Sequence, residues 1–231
     1  MTTRPSSTFV SLPHVTSLLS FNGGFIDTAS FLGLQGLFAA HVTGNFVTLG
    51  AALVFGSHGI VAKLAALPEF VAVVALAHVV NGALADRPAI ALRILLVVKA
   101  ALLVCFCALA VTLGPFPDSD APVALLTGFA GVAAMAVQNA LHRVHLSSAP
   151  PSTLMTGNTT QAVLDLVDMV RGGAPERVAA LRDRLGRSAW TLLYFAAGCA
   201  AAALLFARFG FWCLTVPVAV GVTSAVIRVK N

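Results

Sequence analysis

The sequence predicts an all-α fold: a polytopic membrane bundle of about six transmembrane helices with two short half-length or re-entrant helices. Three observations predict it. Hydrophobic residues make up 58% of the 231 residues and charged residues only 10%, against about 25% charged in soluble domains. Six apolar runs approach or exceed the roughly 20 residues that cross a bilayer. Thr-Gly-Asn occurs twice, each time at the start of a shorter apolar segment.

The six long runs are predicted to be membrane-spanning helices, at 14–38, 67–85, 89–113, 122–146, 188–207 and 210–229. The two shorter segments, 43–56 and 156–170, reach only about 22 Å as helices, whereas the hydrocarbon core is roughly 30 Å thick. Two topologies follow. Either all eight helices cross the membrane, or six cross and the two short helices turn back inside it.

The distribution of Lys and Arg favours six crossings. With a cytoplasmic N-terminus, six crossings place eleven basic residues on the cytoplasmic side and two outside, whereas eight crossings place nine inside and four outside. Cytoplasmic loops of membrane proteins carry an excess of Lys and Arg. Six crossings also put the C-terminus in the cytoplasm and the acidic segment 115–121 outside it.

Three crossings per half predict a 3+3 inverted repeat, because an odd number of spans makes the second half enter the membrane from the opposite side. The two Thr-Gly-Asn motifs are 113 residues apart, close to half the chain. The predicted organisation is a cytoplasmic tail (1–12), a first repeat (13–114), an acidic extracytoplasmic loop (115–121) and a second repeat (122–231) containing a basic cytoplasmic loop (171–187).

The two motifs are predicted to bind a solute through the starts of their helices. Their residues are Thr43, Gly44 and Asn45 in the first half and Thr156, Gly157 and Asn158 in the second. A threonine can cap a helix N-terminus, glycine lets the backbone turn, and an asparagine amide can hold a solute. Free N–H groups at a helix N-terminus attract anionic or carbonyl groups. The alternative is a plain helix cap at the membrane interface.

Polar residues inside the spans complete the predicted binding set: Asn22, Asp27, Gln138 and Asn139. Asp27 is the strongest of them, because a carboxylate in the middle of a span costs several kcal/mol unless it is paired, protonated or hydrated. Its alternative role is a structural hydrogen bond. Asn139 stands 112 residues after Asp27 and so takes nearly the equivalent place in the second half.

Four residues are candidates for an ion pair or proton relay: Asp27, Lys99, His78 and His142. Lys99 can pair with a carboxylate such as Asp27, or extend to the cytoplasmic rim. His142 is also explained as an interfacial histidine. On the short helix 156–170, polar residues at 158, 161, 165 and 168 form one stripe, which predicts an amphipathic helix with its acids in the interface.

The sequence predicts no enzyme, no cofactor and no metal site, because it contains no nucleophile–base pair, phosphate-binding loop or metal-ligand spacing. No basic segment interleaved with aromatics points to nucleic acid. The expected partners are the lipid bilayer and a small solute, for which an anion is one candidate. Homo-oligomerisation is a further option.

The predicted function is therefore a small-solute transporter or permease with a central polar site near the bilayer midplane. One alternative is a passive channel built around the two half-helices, which would conduct without any ion gradient. A second is a membrane scaffold or regulatory module, which would transport nothing and hold a stable partner.

Three segments resemble the YoaK-type family of uncharacterised bacterial membrane proteins: GGFIDTASFLGLQGLFAAHVTGNFVTLGAAL, VQNALHR and the second TGN. The resemblance covers nearly the whole chain. Its most specific part is Gly24 to Asp27 followed by Thr-Gly-Asn. The resemblance implies a multi-pass protein of the bacterial cytoplasmic (inner) membrane with about six helices. It implies no substrate.

Overall fold

In the computed structural model the described residues are 9–56, 59–226 and 228–230, and within them the chain forms eight α-helices. In chain order the helices are α1 (Leu12–Gly33), α2 (Gly44–Phe55), α3 (Ile60–Ala83), α4 (Pro88–Leu113), α5 (Pro122–His145), α6 (Met155–Arg171), α7 (Pro175–Phe209) and α8 (Thr215–Val226). A 3₁₀ turn at Gly210–Leu214 joins α7 to α8. The predicted helical bundle is confirmed at this level.

Proline fixes where three of these helices start. Pro88, Pro122 and Pro175 each stand in the first turn of a helix, where the missing N–H costs nothing and the ring favours helical geometry. At the other end of α2, Gly56 adopts a left-handed conformation (φ 64°) and its N–H bonds the carbonyl of Ala52. The predicted boundaries of α4 and α5 therefore lie within one residue of those observed.

The largest difference from the predicted elements is α7. The segment predicted as a basic loop with some helical character, 171–187, belongs from Pro175 onward to a helix of 35 residues. At 1.5 Å per residue this helix is about 52 Å long, well beyond the thickness of a hydrocarbon core. The charged first part of α7 packs against α6. The expected loop is therefore a helix whose polar side chains meet those of α6.

The described residues also contain a feature outside an all-α fold. Two three-residue strands, β1 (Phe9–Ser11) and β2 (Arg228–Lys230), pair in parallel with Phe9 opposite Arg228. The pairing ties the two ends of the chain together at one end of the bundle. The predicted N-terminal tail, 1–12, lies partly outside the described residues.

Within the described residues, four stretches are long and apolar enough to cross a membrane: α3, α4, α5 and the continuous stretch Pro175–Val226. Large apolar side chains cover their outer surfaces, as at Val79 (66% exposed) and Leu204 (74% exposed). Exposed apolar surface of this extent suits contact with lipid. α1, which carries an asparagine, an aspartate and three serines, is not among the four.

Helices α1 and α5 occupy the centre of the bundle. α1 packs on α7 and α8, α5 packs on α3 and α4, and the two central helices touch each other. Helices α4 and α8 are also in contact, so α1, α5, α4 and α8 form a closed ring. The short helices lie outside this ring, because among the described helices α2 packs only on α3 and α6 only on α7.

The apolar core is divided into two clusters. The loop-end cluster lies toward the α4–α5 loop and includes Phe25 and Ile26 of α1, Leu103 and Phe106 of α4, and Met135 of α5. The strand-end cluster lies toward the paired strands and includes Leu19 of α1, Leu95 and Leu96 of α4, Val137 and Leu141 of α5, and Ala225 of α8.

Candidate functional site

Asp27 holds a segment of backbone that doubles back into the bundle. Its carboxylate accepts hydrogen bonds from the N–H of Ala40 (2.6 Å) and of His41 (3.1 Å to each oxygen). Asp27 lies six residues before the end of α1, which is roughly 9 Å along the helix. The non-helical segment between α1 and α2 therefore descends beside α1 to that depth before α2 begins. Asp27 has the structural role that was its alternative in the sequence.

Both ends of this descending segment lie at the α4–α5 loop. At the start, the Gln35 amide donates to the carbonyl of Pro117 (2.6 Å). At the far end, after α2, the Asp120 carboxylate accepts from the N–H groups of Gly59 (3.1 Å) and Ile60 (3.0 Å) at the start of α3. Asp120 belongs to the acidic loop 115–121, and its carboxylate thus caps the N-terminus of α3.

Asn45 fixes the first Thr-Gly-Asn motif by pairing with a single residue. Its Oδ1 accepts from the N–H of Phe38, and its Nδ2 donates to the carbonyl of the same residue, both at 2.8 Å. The side chain thereby satisfies both backbone groups of Phe38, which no helix or sheet satisfies. The role of Asn45 is to hold the turn, and both ends of its amide are occupied.

The second half repeats these contacts at matching positions. Asn158 donates from Nδ2 to the carbonyl of Pro151 (2.7 Å), again seven residues back. Proline has no N–H, so the second bond made by Asn45 has no counterpart here. Asn139, the counterpart of Asp27, accepts from the Thr153 hydroxyl (2.7 Å), 14 residues ahead, as Asp27 accepts from His41.

The other motif residues differ from the prediction. Thr43 stands at the N-cap of α2 but makes no capping hydrogen bond, and Thr156 lies inside the first turn of α6, which begins at Met155. A Cβ at Gly44 would meet the Phe38 ring at 2.9 Å, so this glycine is needed for a close approach. At Gly157 a Cβ would meet nothing within 4 Å. Thr43 therefore occupies the predicted N-cap position without forming the predicted capping bond, and the prediction of an N-cap at Thr156 is wrong.

The starts of the two short helices do not come together. No contact joins α2 to α6 within the described chain, and each lies on the outside of the bundle against one long helix. The exposed side of α2 is strongly apolar, with Val54 79% and Phe55 81% exposed. The expectation that two helix N-termini form one central site is not met by this packing.

Three fully buried polar side chains lie between the two core clusters instead. Asn22 of α1, Lys99 of α4 and Gln138 of α5 are each 0% exposed, and we call them the polar layer. Along each helix, the neighbours on one side belong to the strand-end cluster and those on the other to the loop-end cluster. Asn22 and Lys99 stand near the midpoints of their helices.

Each member of the polar layer has a polar atom without a hydrogen-bond partner in the described chain. These atoms are Asn22 Oδ1, Lys99 Nζ and Gln138 Oε1. The remaining amide nitrogens are used: Asn22 Nδ2 donates to Pro217 of α8 (3.2 Å), and Gln138 Nε2 donates to the carbonyl of Leu19 of α1 (2.8 Å). The layer is thus positioned by bonds to the ring helices, with one donor group and two acceptors left over.

Glycine 221 of α8 shows how closely the ring helices meet at this level. A Cβ built on Gly221 would lie 3.8 Å from Asn22 Nδ2, 3.9 Å from the Cα of Ala100 and 2.9 Å from the Leu103 side chain. Ala100 is the chain neighbour of Lys99. The absence of a side chain at Gly221 therefore brings α1, α4 and α8 together around the polar layer.

The predicted ion pair and relay are not formed. Lys99 Nζ has no hydrogen-bond partner among the described residues, and Asp27 is bonded to backbone N–H groups. His78 is exposed on the outside of α3. His142 is buried, and its Nε2 lies 3.4 Å from the carbonyl of Ala149, where it supports the loop after α5. The four residues therefore do not form a continuous hydrogen-bonded path that could relay a proton.

Glu69 is a candidate that the sequence analysis did not single out. It lies in α3, and its Oε2 is buried without a hydrogen-bond partner in the described part of the chain. The signal was present in the sequence, since Glu69 is an acid inside the predicted span 67–85. It lies on a helix outside the ring that carries the polar layer.

Two acids of the polar stripe on α6, Asp165 and Asp168, form ion pairs with arginines of α7. Asp165 is 1% exposed and accepts from Arg184 Nε at 2.7 Å, with a further bond from the same guanidinium and one from Gln161. The hydrogen bonds from Arg184 hold the pKa of the Asp165 carboxyl below its ordinary value. Asp168 pairs with Arg177 at 3.3 Å. Asp165 is therefore buried between the two helices rather than in water as predicted, whereas the Asp168 side chain keeps 41% of its surface exposed.

Comparison with known proteins adds one finding. No curated protein and no solved structure matches the chain. One family does match, over residues 15–227, and its description is "Protein of unknown function (DUF1275)". This agrees with the resemblance to an uncharacterised family seen in the sequence. Since the match covers nearly the whole chain, the protein belongs to the DUF1275 family.

Proposed function

We propose that this protein is a membrane permease for a small polar solute and that the solute binds at the polar layer. The observation that carries the proposal is the set of three buried side chains on three ring helices, each with an unused polar atom. Burying an unpaired polar group costs free energy, and more than 90% of buried polar groups in proteins are paired. Three exceptions at one level of a membrane bundle need a functional reason.

The chemistry of the polar layer suits a solute with both acceptors and donors. Lys99 Nζ offers a charged donor, and the oxygens of Asn22 and Gln138 offer two acceptors. A lysine at the centre of a membrane helix costs about 3 kcal/mol even on the more favourable insertion scales. A solute that neutralises the ammonium and donates to the amide oxygens would offset that cost.

The six-crossing topology belongs to this proposal. Residues on both sides of the α2 segment contact the same α4–α5 loop, through Gln35 at one end and Gly59 at the other. A chain that leaves and returns to one end of the bundle does not cross it. In the second half, α6 packs beside the first part of α7, and an ion pair between Asp165 and Arg184 joins them. With the positive-inside rule, both termini lie in the bacterial cytoplasm.

A 3+3 inverted repeat is supported by the pattern of contacts. Exchanging each helix of the first half with its counterpart turns the α1–α7 contact into α5–α3, α2–α3 into α6–α7, and α4–α5 into α8–α1, and all six contacts are present. The Asn45–Phe38 and Asn158–Pro151 bonds follow the same rule. Transporters with this symmetry alternate access by moving one part of the bundle against another around a central site.

Transport is tested with purified protein in liposomes and a panel of radiolabelled acetate, lactate, glycine and glucose. We expect at least one solute to be taken up, and we expect Lys99→Met to abolish that uptake while raising thermal stability, because it removes an unpaired buried ammonium. Lys99→Met with unchanged uptake would show that the polar layer is not the site. Arg93→Gln, an exposed charge on the same helix, is the control and should transport normally.

The same vesicles separate the rival functions. A channel would conduct at the same rate after an ionophore dissipates the proton gradient, whereas a proton-coupled permease would slow down. A scaffold would carry no solute in the panel and would retain a partner protein during purification.

A further inference from the structure

A second polar region lies outside the ring, in a cavity of about 360 Å³. Its walls come from three places: the loop 148–151 after α5, the first turn of α6, and one face of α7. The residues that matter to its chemistry are Gly157, Asn158, Arg184, Arg187 and Ser188. This volume is within the range of small-molecule sites. None of the described residues that line the cavity is acidic.

The charge of the cavity comes from Arg187. Its neighbour Arg184 already forms a bidentate pair with Asp165, which cancels its charge. Arg187 has no acidic partner within the described chain, and it lies on the turn of α7 that also carries Ser188. A single uncompensated guanidinium therefore faces a cavity that no carboxylate enters.

The first turn of α6 presents backbone donors to the same space. The helix has no side-chain cap, and its first backbone bond of this turn runs from the N–H of Asn158 to Leu154 (3.3 Å). The N–H groups before it have no helical partner. Gly157 lines the cavity, and a Cβ there would meet nothing within 4 Å, so the space beside these donors is open.

Ser188 is the independent sign of a ligand. Its side chain lines the cavity, the residue is 2% exposed, and it forms no hydrogen bond to any described residue. In a helix a serine hydroxyl can bond the carbonyl four residues back, and the Ser188 hydroxyl leaves that carbonyl unused beside the cavity. At Thr191, one turn further on, the hydroxyl does take that carbonyl (2.9 Å to Arg187).

We propose that this cavity binds a phosphate group, held by Arg187, the Ser188 hydroxyl and the N–H groups at the start of α6. An arginine fork and a helix N-terminus are recurrent phosphate ligands. Two sources share this chemistry: free inorganic phosphate and the headgroup of an anionic phospholipid. Trp190, two residues after Ser188 on α7, is 61% exposed. Tryptophan is enriched where membrane proteins meet the lipid headgroups. The site does not depend on the proposed transport.

The test uses the full-length protein purified in neutral detergent. Its melting midpoint is measured by tryptophan fluorescence in sodium phosphate at pH 7 and in sodium chloride of equal ionic strength. Nanodiscs of phosphatidylglycerol and of phosphatidylcholine provide the lipid arm. We expect phosphate, phosphatidylglycerol or both to raise the midpoint of the wild type, and Arg187→Gln and Ser188→Ala to weaken the response at least fivefold in ligand concentration.

Arg171→Gln is the matched control. It removes the same charge from an exposed residue at the far end of α6, roughly 21 Å from Gly157 along the helix, and should respond like the wild type. A response to soluble phosphate assigns a free anion, and a response to phosphatidylglycerol alone assigns a lipid headgroup. The proposal is overturned if neither probe acts, if Arg187→Gln responds like the wild type, or if Arg171→Gln loses the response equally.

Discussion

The close crossing of α1 and α7 gives the sharpest prediction about stability. A Cβ built on Gly24 would overlap the carbonyl oxygen of Phe195 and lie 3.0 Å from Cys199 Sγ, and a Cβ on Gly198 would overlap the carbonyl oxygen of Phe21. Ordinary contacts of a Cβ begin at 3.4 Å. The two helices touch through their backbones here, as small residues allow in membrane bundles.

Replacing either glycine by alanine forces the helices apart by roughly 1 Å, and the packing lost on both sides of the crossing costs about 1–3 kcal/mol. For a chain of this size, that corresponds to a fall of about 2–12 °C in melting temperature. We expect Gly24→Ala and Gly198→Ala each to lower the melting temperature in detergent within this range. The readout is thermal unfolding followed by size-exclusion chromatography, which needs no knowledge of the substrate.

Two other helical glycines serve as controls with the opposite sign. Gly186 lies on α7 itself and Gly50 on α2, and at both a Cβ would meet nothing within 4 Å. Alanine there gains about 0.5–1 kcal/mol from its higher helix propensity, so both variants should melt at or above the wild-type temperature. The reasoning fails if Gly24→Ala and Gly198→Ala behave like these controls.

Three further predictions follow from other contacts. Cysteines introduced at Pro117 and Arg171, with the native cysteines replaced, should react with an impermeant maleimide from opposite sides of the membrane; labelling from one side would mean eight crossings. Asn45→Ala should cost about twice as much stability as Asn158→Ala, because it loses two hydrogen bonds of roughly 1 kcal/mol rather than one. The pKa of Asp165 is lowered in the fold, so its contribution is present above the unfolded pKa of about 4 and lost as the pH falls through the folded value; an Asp165→Asn variant should show a smaller loss of stability in acid.

The helices could be predicted because their signals are local. Apolar runs and proline starts fix α4 and α5 to within a residue. The length of α7 could not be read in the same way, since its first part is charged. That part is helical because α6 packs along it, and Asp165 meets Arg184 19 residues later. The sequence carries no local mark of that pairing.

The sequence identifies unusual polar residues inside the spans, but the hydrogen-bond partners of those residues depend on tertiary contacts that the sequence does not specify. The sequence identifies Asp27, Asn45 and Asn158 as unusual, but it cannot say that their partners are backbone groups of a descending segment. Whether such a residue binds a solute or holds the chain depends on tertiary contacts. Asn22 and Gln138 were expected in the binding set, and both lie in the polar layer.

The polar groups inside this bundle are of two kinds, which differ in whether their hydrogen-bonding atoms are already used. Asp27 and Asn45 are bonded to backbone groups, so a solute would compete with bonds that hold the descending segment between α1 and α2. Asn22, Lys99 and Gln138 keep an unused atom at a level where burial is most costly. A substitution of the first kind should therefore reduce stability and activity together. A substitution of the second kind should reduce activity while stability is kept or raised, and it is this separation that distinguishes a solute site from structural bonding.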